Sequence, residues 1–118
     1  MKFWQKWKKE MMNLKISEMI PNEICGALEL WQRCEGIGLS DADEPESLAR
    51  FIIRNPDLCF TAYLDGKLVG TCLCGSDGRR GYLYHLAVDP QMRRMGIGKA
   101  LVERGFEGLK EQDIHKCH

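Results

Sequence analysis

The sequence predicts an α+β domain: a mixed, mostly antiparallel sheet flanked by helices. Three observations carry this expectation. Apolar residues recur at helical spacing in three segments. Apolar runs bounded by Gly, Pro, Asn and Asp mark the strands. The order is strand, two helices, antiparallel strands, then strand–loop–helix, which lays helices against the faces of one sheet.

Residues 1–12 form an amphipathic extension, with Phe3, Trp4, Trp7 and Met11 at i, i+3/i+4 spacing among lysines. A helix packing these aromatics on the body or on another subunit is the plainer expectation, and a basic membrane-surface segment the sharper one. The domain itself is expected over residues 13–118, with Met12 as an alternative start. Residues 13–17 suit a first short strand. Residues 21–34 open on Pro21 and Asn22 and put Ile24, Ala27, Leu28 and Trp31 on one face, a helix closed near Gly36. Gly36, Gly38 and the acidic run from Asp41 to Glu46 make a loop. Residues 47–54 form a second helix, stopped by Asn55-Pro56 because the residue before proline avoids the α region. A strand over 58–64, a turn at Asp65-Gly66 and a strand over 67–74 form a hairpin. After a longer turn at 75–78, residues 81–88 (GYLYHLAV) form a strand apolar enough to be central. A proline loop leads to a helix from about Gly96 to Gln112, and Ile114 begins a further strand.

With 44% hydrophobic and 29% charged residues, the 118-residue chain has the composition of one globular domain. Seventeen basic residues balance seventeen acidic ones, so no net field points to nucleic acid. No apolar run reaches the roughly 18–20 residues of a membrane span, and the first residues lack the apolar core of a secretory signal. Of six cysteines, Cys25, Cys34, Cys59, Cys72 and Cys74 lie in apolar periodic segments, as small hydrophobes do; a reduced, cytoplasmic protein is expected. Cys72-x-Cys74 and the cluster of His115, Cys117 and His118 lack a second ligand pair at zinc spacing, so no metal site is expected.

The segment between the last long strand and the last helix carries the chemistry. The first N–H groups of a helix have no intrahelical partner, and the macrodipole adds about half a positive charge there. Gly96 and Gly98 remove the Cβ atoms that would hold a phosphate away from those donors, and Arg93 and Arg94 offer charge to the same anion. A nucleoside-triphosphate loop would need Ser or Thr after Gly98-Lys99, where Ala100 stands. A dinucleotide fingerprint would need a third glycine, where Leu101 stands. The pattern that fits throughout is a strand ending Leu86-Ala87-Val88-Asp89-Pro90, followed by Arg93-Arg94-Met95-Gly96-Ile97-Gly98.

On these residues the chain resembles the GNAT superfamily of acyl-CoA-dependent N-acetyltransferases, from about residue 13 to its last residue; residues 35–43 look like a small bacterial subgroup of it. The resemblance implies a GNAT-like fold and acetyl-CoA as cosubstrate. It implies that the backbone of Leu86, Ala87 and Val88 binds the pantetheine arm. The loop of Arg93, Arg94, Met95, Gly96, Ile97, Gly98 and Lys99 is then implied to hold the pyrophosphate. The family reaction is direct attack by a neutral amine on the thioester, a base removing its proton. Candidate catalytic residues are Glu35, in the loop between the first two helices, and Tyr84, on the cofactor strand. Regular alternation puts Tyr82 and Tyr84 on one side of that strand and His85 on the other. The acidic run would favour a cationic amine if it faced the site; equally, it complements a helix dipole.

The family normally continues with another strand, a helix bearing a tyrosine that protonates the departing thiolate, and a final hairpin. Residues 114–118 match at most the first half of that strand, so the expectation is a GNAT-like domain lacking the usual C-terminal strand–helix–hairpin. An apolar strand edge left open would pair with another chain, and a homodimer is expected. The expected acceptor is an amine-bearing small molecule or peptide. A CoA-binding or dimeric interaction domain without turnover is the alternative.

Overall fold

The computed structural model describes residues 13–34, 37 and 43–118. The amphipathic extension, Glu35 and Asp41 therefore lie outside the described residues. Strand β1 (Leu14–Glu18) leads through a 3₁₀ turn (Pro21–Glu23) into helix α1 (Ile24–Arg33). Helix α2 (Pro45–Arg54) precedes strands β2 (Cys59–Leu64), β3 (Lys67–Ser76) and β4 (Gly81–Val88). A second 3₁₀ turn (Pro90–Met92) joins β4 to helix α3 (Ile97–Glu111). The protein is α+β, as expected. Helix α2 begins two residues earlier than its apolar pattern suggests, because Pro45 takes the first helical turn, where its missing N–H is not needed.

The four strands lie in the order β1-β2-β3-β4, each antiparallel to the next. Asp65 and Gly66 have φ of 51° and 80°, the paired left-handed residues of a tight turn between twisted strands. The interior strands are β2 and β3, and β3 is buried continuously from Val69 to Gly75 because helices cover both its faces. The apolar β4 was expected to be central and instead lies outermost of the four. Its first residues are flanked in parallel by residues 116–118: Gly81 N donates to Lys116 O at 2.7 Å, and Leu83 N to His118 O at 2.9 Å.

Helices α1 and α2 cover one face, packing Ala27, Leu30, Trp31, Leu48 and Ile52 against Cys59, Leu73 and Ala87. Helix α3 covers the other, packing Ile97, Leu101 and Leu109 on Phe60, Ala62, Cys72 and Cys74. The Cys-x-Cys pair is thus core beneath α3: a Cβ on Gly105 would stand 2.7 Å from the Cys74 sulfur. All six cysteines are free thiols. Burial pushes the Cys59 thiol up to about 12.

One turn further on, Gly108 passes so close to β2's entry that an added Cβ would be driven into the Asp57 carbonyl oxygen and Leu58. A backbone carbonyl cannot swing aside as a side chain can. Gly108→Ala should therefore destabilise the protein by about 1–3 kcal/mol, despite alanine's better helix propensity. Urea unfolding measures this; a variant as stable as the parent would show that α3 can lift off the sheet at little cost.

Candidate functional site

The site is organised by an irregularity in β4. Leu73 faces Tyr84 and Thr71 faces Ala87, so His85 and Leu86 together oppose the single residue Cys72. This is a β-bulge, and its extra residue, His85, has φ of 43°. Left-handed backbone at a histidine costs of order 1–2 kcal/mol and persists only where surroundings hold it. Here three contacts do so. The His85 ring packs against Trp31 at a centroid distance of 4.6 Å. Its Nε2 meets Asp43 Oδ1 at 2.6 Å. Its backbone carbonyl accepts from Thr71 Oγ1 at 3.1 Å, and Thr71 Oγ1 in turn accepts from Trp31 Nε1 at 2.8 Å.

The bulge corrects one sequence expectation. An inserted residue shifts the alternation of the strand, so His85 faces α1 on the same side of the sheet as Tyr82 and Tyr84, not opposite them. Leu86 is exposed, whereas Ala87 is buried against α1 and α2. Cys34, just past α1, donates through Sγ to the Val88 carbonyl at 3.5 Å, tying the end of β4 to that helix.

The loop after β4 is built from its own sequence. Asp89 is buried; its Oδ1 accepts from Gln91 N at 2.9 Å and caps the 3₁₀ turn. Its other oxygen lies 3.4 Å from Arg33 Nη2 and 3.7 Å from Lys67 Nζ. Gly96, at φ 83°, is the residue before α3, and no side chain caps that helix. Met95 and Ile97 turn into the core, so only their backbone can meet a ligand. Arg93, Arg94 and Lys99 are exposed. Gly98 differs from its neighbour: its φ is not left-handed, and among the described residues a Cβ there would meet only Val88 Cγ2, at an ordinary 3.5 Å. Among the described residues nothing requires glycine at this position.

On the α1/α2 face a cleft of about 460 Å³ opens between α2 and the first half of β4. Tyr84 stands edge-on to Phe51 at 5.8 Å and stacks beside Tyr82 at 6.2 Å. The cleft floor is fixed by Asn55, whose Oδ1 accepts from Ser76 N at 3.1 Å while its Nδ2 donates to the Phe51 carbonyl at 3.0 Å. Gly75 leaves room for the Phe51 ring, which would lie 2.9 Å from an added Cβ.

Of the residues singled out from sequence, the structure puts the loop and the end of β4 side by side, with Tyr84 just upstream. The acidic run is only partly described, and within it Asp43 turns to His85. Sequence reasoning missed Thr71, the pairing of Asp43 with His85, and the Arg50–Phe51 side of the cleft. One signal was available for Thr71: a hydroxyl inside the apolar run VGTCLC has to find a buried partner.

The family described as Acetyltransferase (GNAT) matches residues 25–118. An acetyltransferase of Pectobacterium atrosepticum is 36% identical over 92 residues, covering 77% of this chain and 64% of that protein. An acetyltransferase of Photorhabdus laumondii is 40% identical over 78 residues, covering 65% of this chain and 53% of that protein. The chain thus spans between about half and two thirds of the curated relatives it matches. Among solved structures, the PaiA N-acetyltransferase of Thermoplasma acidophilum in complex with coenzyme A superposes with a TM-score of 0.77 at 21% identity, over 88% of this chain and 76% of that one. The ribosomal-protein-S18-alanine N-acetyltransferase of Escherichia coli gives 0.71 at 21% identity, over 88% and 64%.

Proposed function

The chain belongs to the GNAT acetyltransferase family, and from that membership we propose that it is an N-acetyltransferase, moving the acetyl group of acetyl-CoA to the nitrogen of an amine-bearing small molecule or peptide. Gly98 is the observation that carries the cofactor half of this reading. A glycine that neither packing nor backbone conformation requires, at the uncapped start of a 15-residue helix, leaves the approach of a ligand as its purpose. The pyrophosphate takes the free N–H groups at the start of α3, with Arg93, Arg94 and Lys99 supplying charge around it. The pantetheine arm then runs along the backbone of Leu86, Ala87 and Val88, on the edge of β4 away from β3, where among the described residues no strand pairs with it.

That path brings the thioester to the bulge. The amine nitrogen bonds to the carbonyl carbon, the carbon–sulfur bond breaks, and sulfur leaves with the electron pair and gains a proton. His85 is the group assigned to receive the amine proton, directly or through one water. Asp43 orients its imidazole, and about one fifth of the side chain is open to solvent. Tyr84, on the same face, is the candidate donor to the sulfur. Glu35, outside the described residues, stays a second candidate base. Free thiols at all six cysteines accord with a reducing, cytoplasmic setting.

Thiol release from acetyl-CoA with a panel of amines tests the reading. The expected result is one N-acetyl product per thiol released. His85→Gln should lower kcat by about 10²-fold with little change in the KM for acetyl-CoA. Calorimetric binding of CoA without thiol release for any amine would leave a cofactor-binding module instead.

A further inference from the structure

The cleft between α2 and β4 carries an inference about the acceptor, one that rests on the acetyltransferase reading. We propose that this cleft receives the acceptor and that the acceptor is a primary amine that also bears a carboxylate on an apolar or aromatic body. Three features converge on that chemistry.

The cleft abuts Tyr84, immediately before the bulge to which the proposed cofactor path leads, so an amine held there reaches the thioester from the face opposite α3. Its floor is aromatic: Phe51, Tyr82 and Tyr84 offer ring faces and edges to an apolar body. Its wall is cationic. Arg50 and Arg54 stand one turn apart on α2, both line the cleft, and among the described residues neither pairs with a carboxylate. Arg50 instead donates to the Ser47 hydroxyl at 3.1 Å.

The acidic residue at the rim, Asp77, is turned to the loop backbone and is outnumbered by the two guanidinium groups. Asp77 Oδ1 accepts from the backbone N–H groups of Arg79 and Arg80, each at 2.8 Å. Two guanidinium groups facing an aromatic floor suit a planar anion, which each can grip with two parallel N–H donors. A polyamine would meet that wall with like charge.

The test compares matched pairs of acceptors that differ only in the carboxylate, such as phenylalanine against 2-phenylethylamine, with spermidine as the polycationic alternative. The carboxylate-bearing member should be preferred by about tenfold or more in kcat/KM. The double variant Arg50→Gln/Arg54→Gln should erase that preference through the acceptor KM, with the KM for acetyl-CoA unchanged. Equal use of both members, a preference for spermidine, or a double variant that keeps the preference overturns the proposal. Should no amine be acetylated, the acetyltransferase reading itself fails. The cleft is then judged by titrating phenylalanine into the CoA-saturated protein: binding lost in the double variant upholds it, and no binding sinks it.

Discussion

Gly98→Glu should abolish useful CoA binding while leaving the fold as stable as before, or slightly more so. A Cβ at this position has open space apart from an ordinary contact with Val88. An acidic side chain in the first turn of α3 complements the macrodipole, a gain of about 0.3–1 kcal/mol. The same carboxylate would occupy the donors and repel the charge that the pyrophosphate brings. An affinity loss of about 100-fold is expected, roughly 2.7 kcal/mol. Gly98→Ala, which adds only the Cβ, should leave the fold intact and weaken CoA binding by roughly tenfold, less than the glutamate does, because that Cβ holds the phosphate off the N–H groups. Calorimetry with CoA beside thermal unfolding separates the two effects. If Gly98→Glu binds CoA within about threefold of the parent, the start of α3 is not the pyrophosphate site.

Thr71→Val should cost both stability and turnover. Thr71 is fully buried and sits between the Trp31 indole and the His85 carbonyl. Valine keeps the shape and removes the hydroxyl, leaving one buried donor and one buried acceptor unpaired at about 1–3 kcal/mol each. A fall in melting temperature on the order of 10 °C follows for a chain of this size. With its carbonyl released, the left-handed backbone at His85 loses one of its three restraints. The kcat should then fall while CoA affinity, set some distance along β4 and in the loop, changes little. Thr71→Ser restores the hydroxyl and should recover most of both. A Thr71→Val protein with the parent's melting temperature would mean that water or a shifted neighbour pairs with both groups.

Much of this architecture was legible in the sequence because it follows from local rules. Residues 24–33 and 97–111 show their helices through apolar spacing, and Asp65-Gly66 shows its hairpin through turn chemistry. The loop motif was legible for the same reason: its glycines, arginines and flanking strand are contiguous. What escaped is non-local. The bulge in β4 arises from pairing opposite Cys72 and from restraints far away in the chain, in Thr71, 14 residues before His85, and in Trp31, a further 40 before that, and no pattern within GYLYHLAV announces it. Hence a sound alternation argument placed His85 on the wrong face. The centrality of β4 failed for a related reason: its apolar content reflects Tyr82, Tyr84 and Leu86, which are partly exposed, whereas β3 is covered on both sides.

The extra residue at His85 also separates two kinds of evolutionary freedom. Upstream of it, Tyr82 and Tyr84 border the cleft with Arg50, Phe51 and Arg54; downstream, Leu86 to Val88 lead into the glycine loop. Because the Trp31–Thr71 pair clamps the junction, exchanges at the upstream positions need not disturb the backbone beyond it. Under the proposed function, a lineage of such proteins can therefore drift in what it acetylates while inheriting its hold on the acyl donor intact.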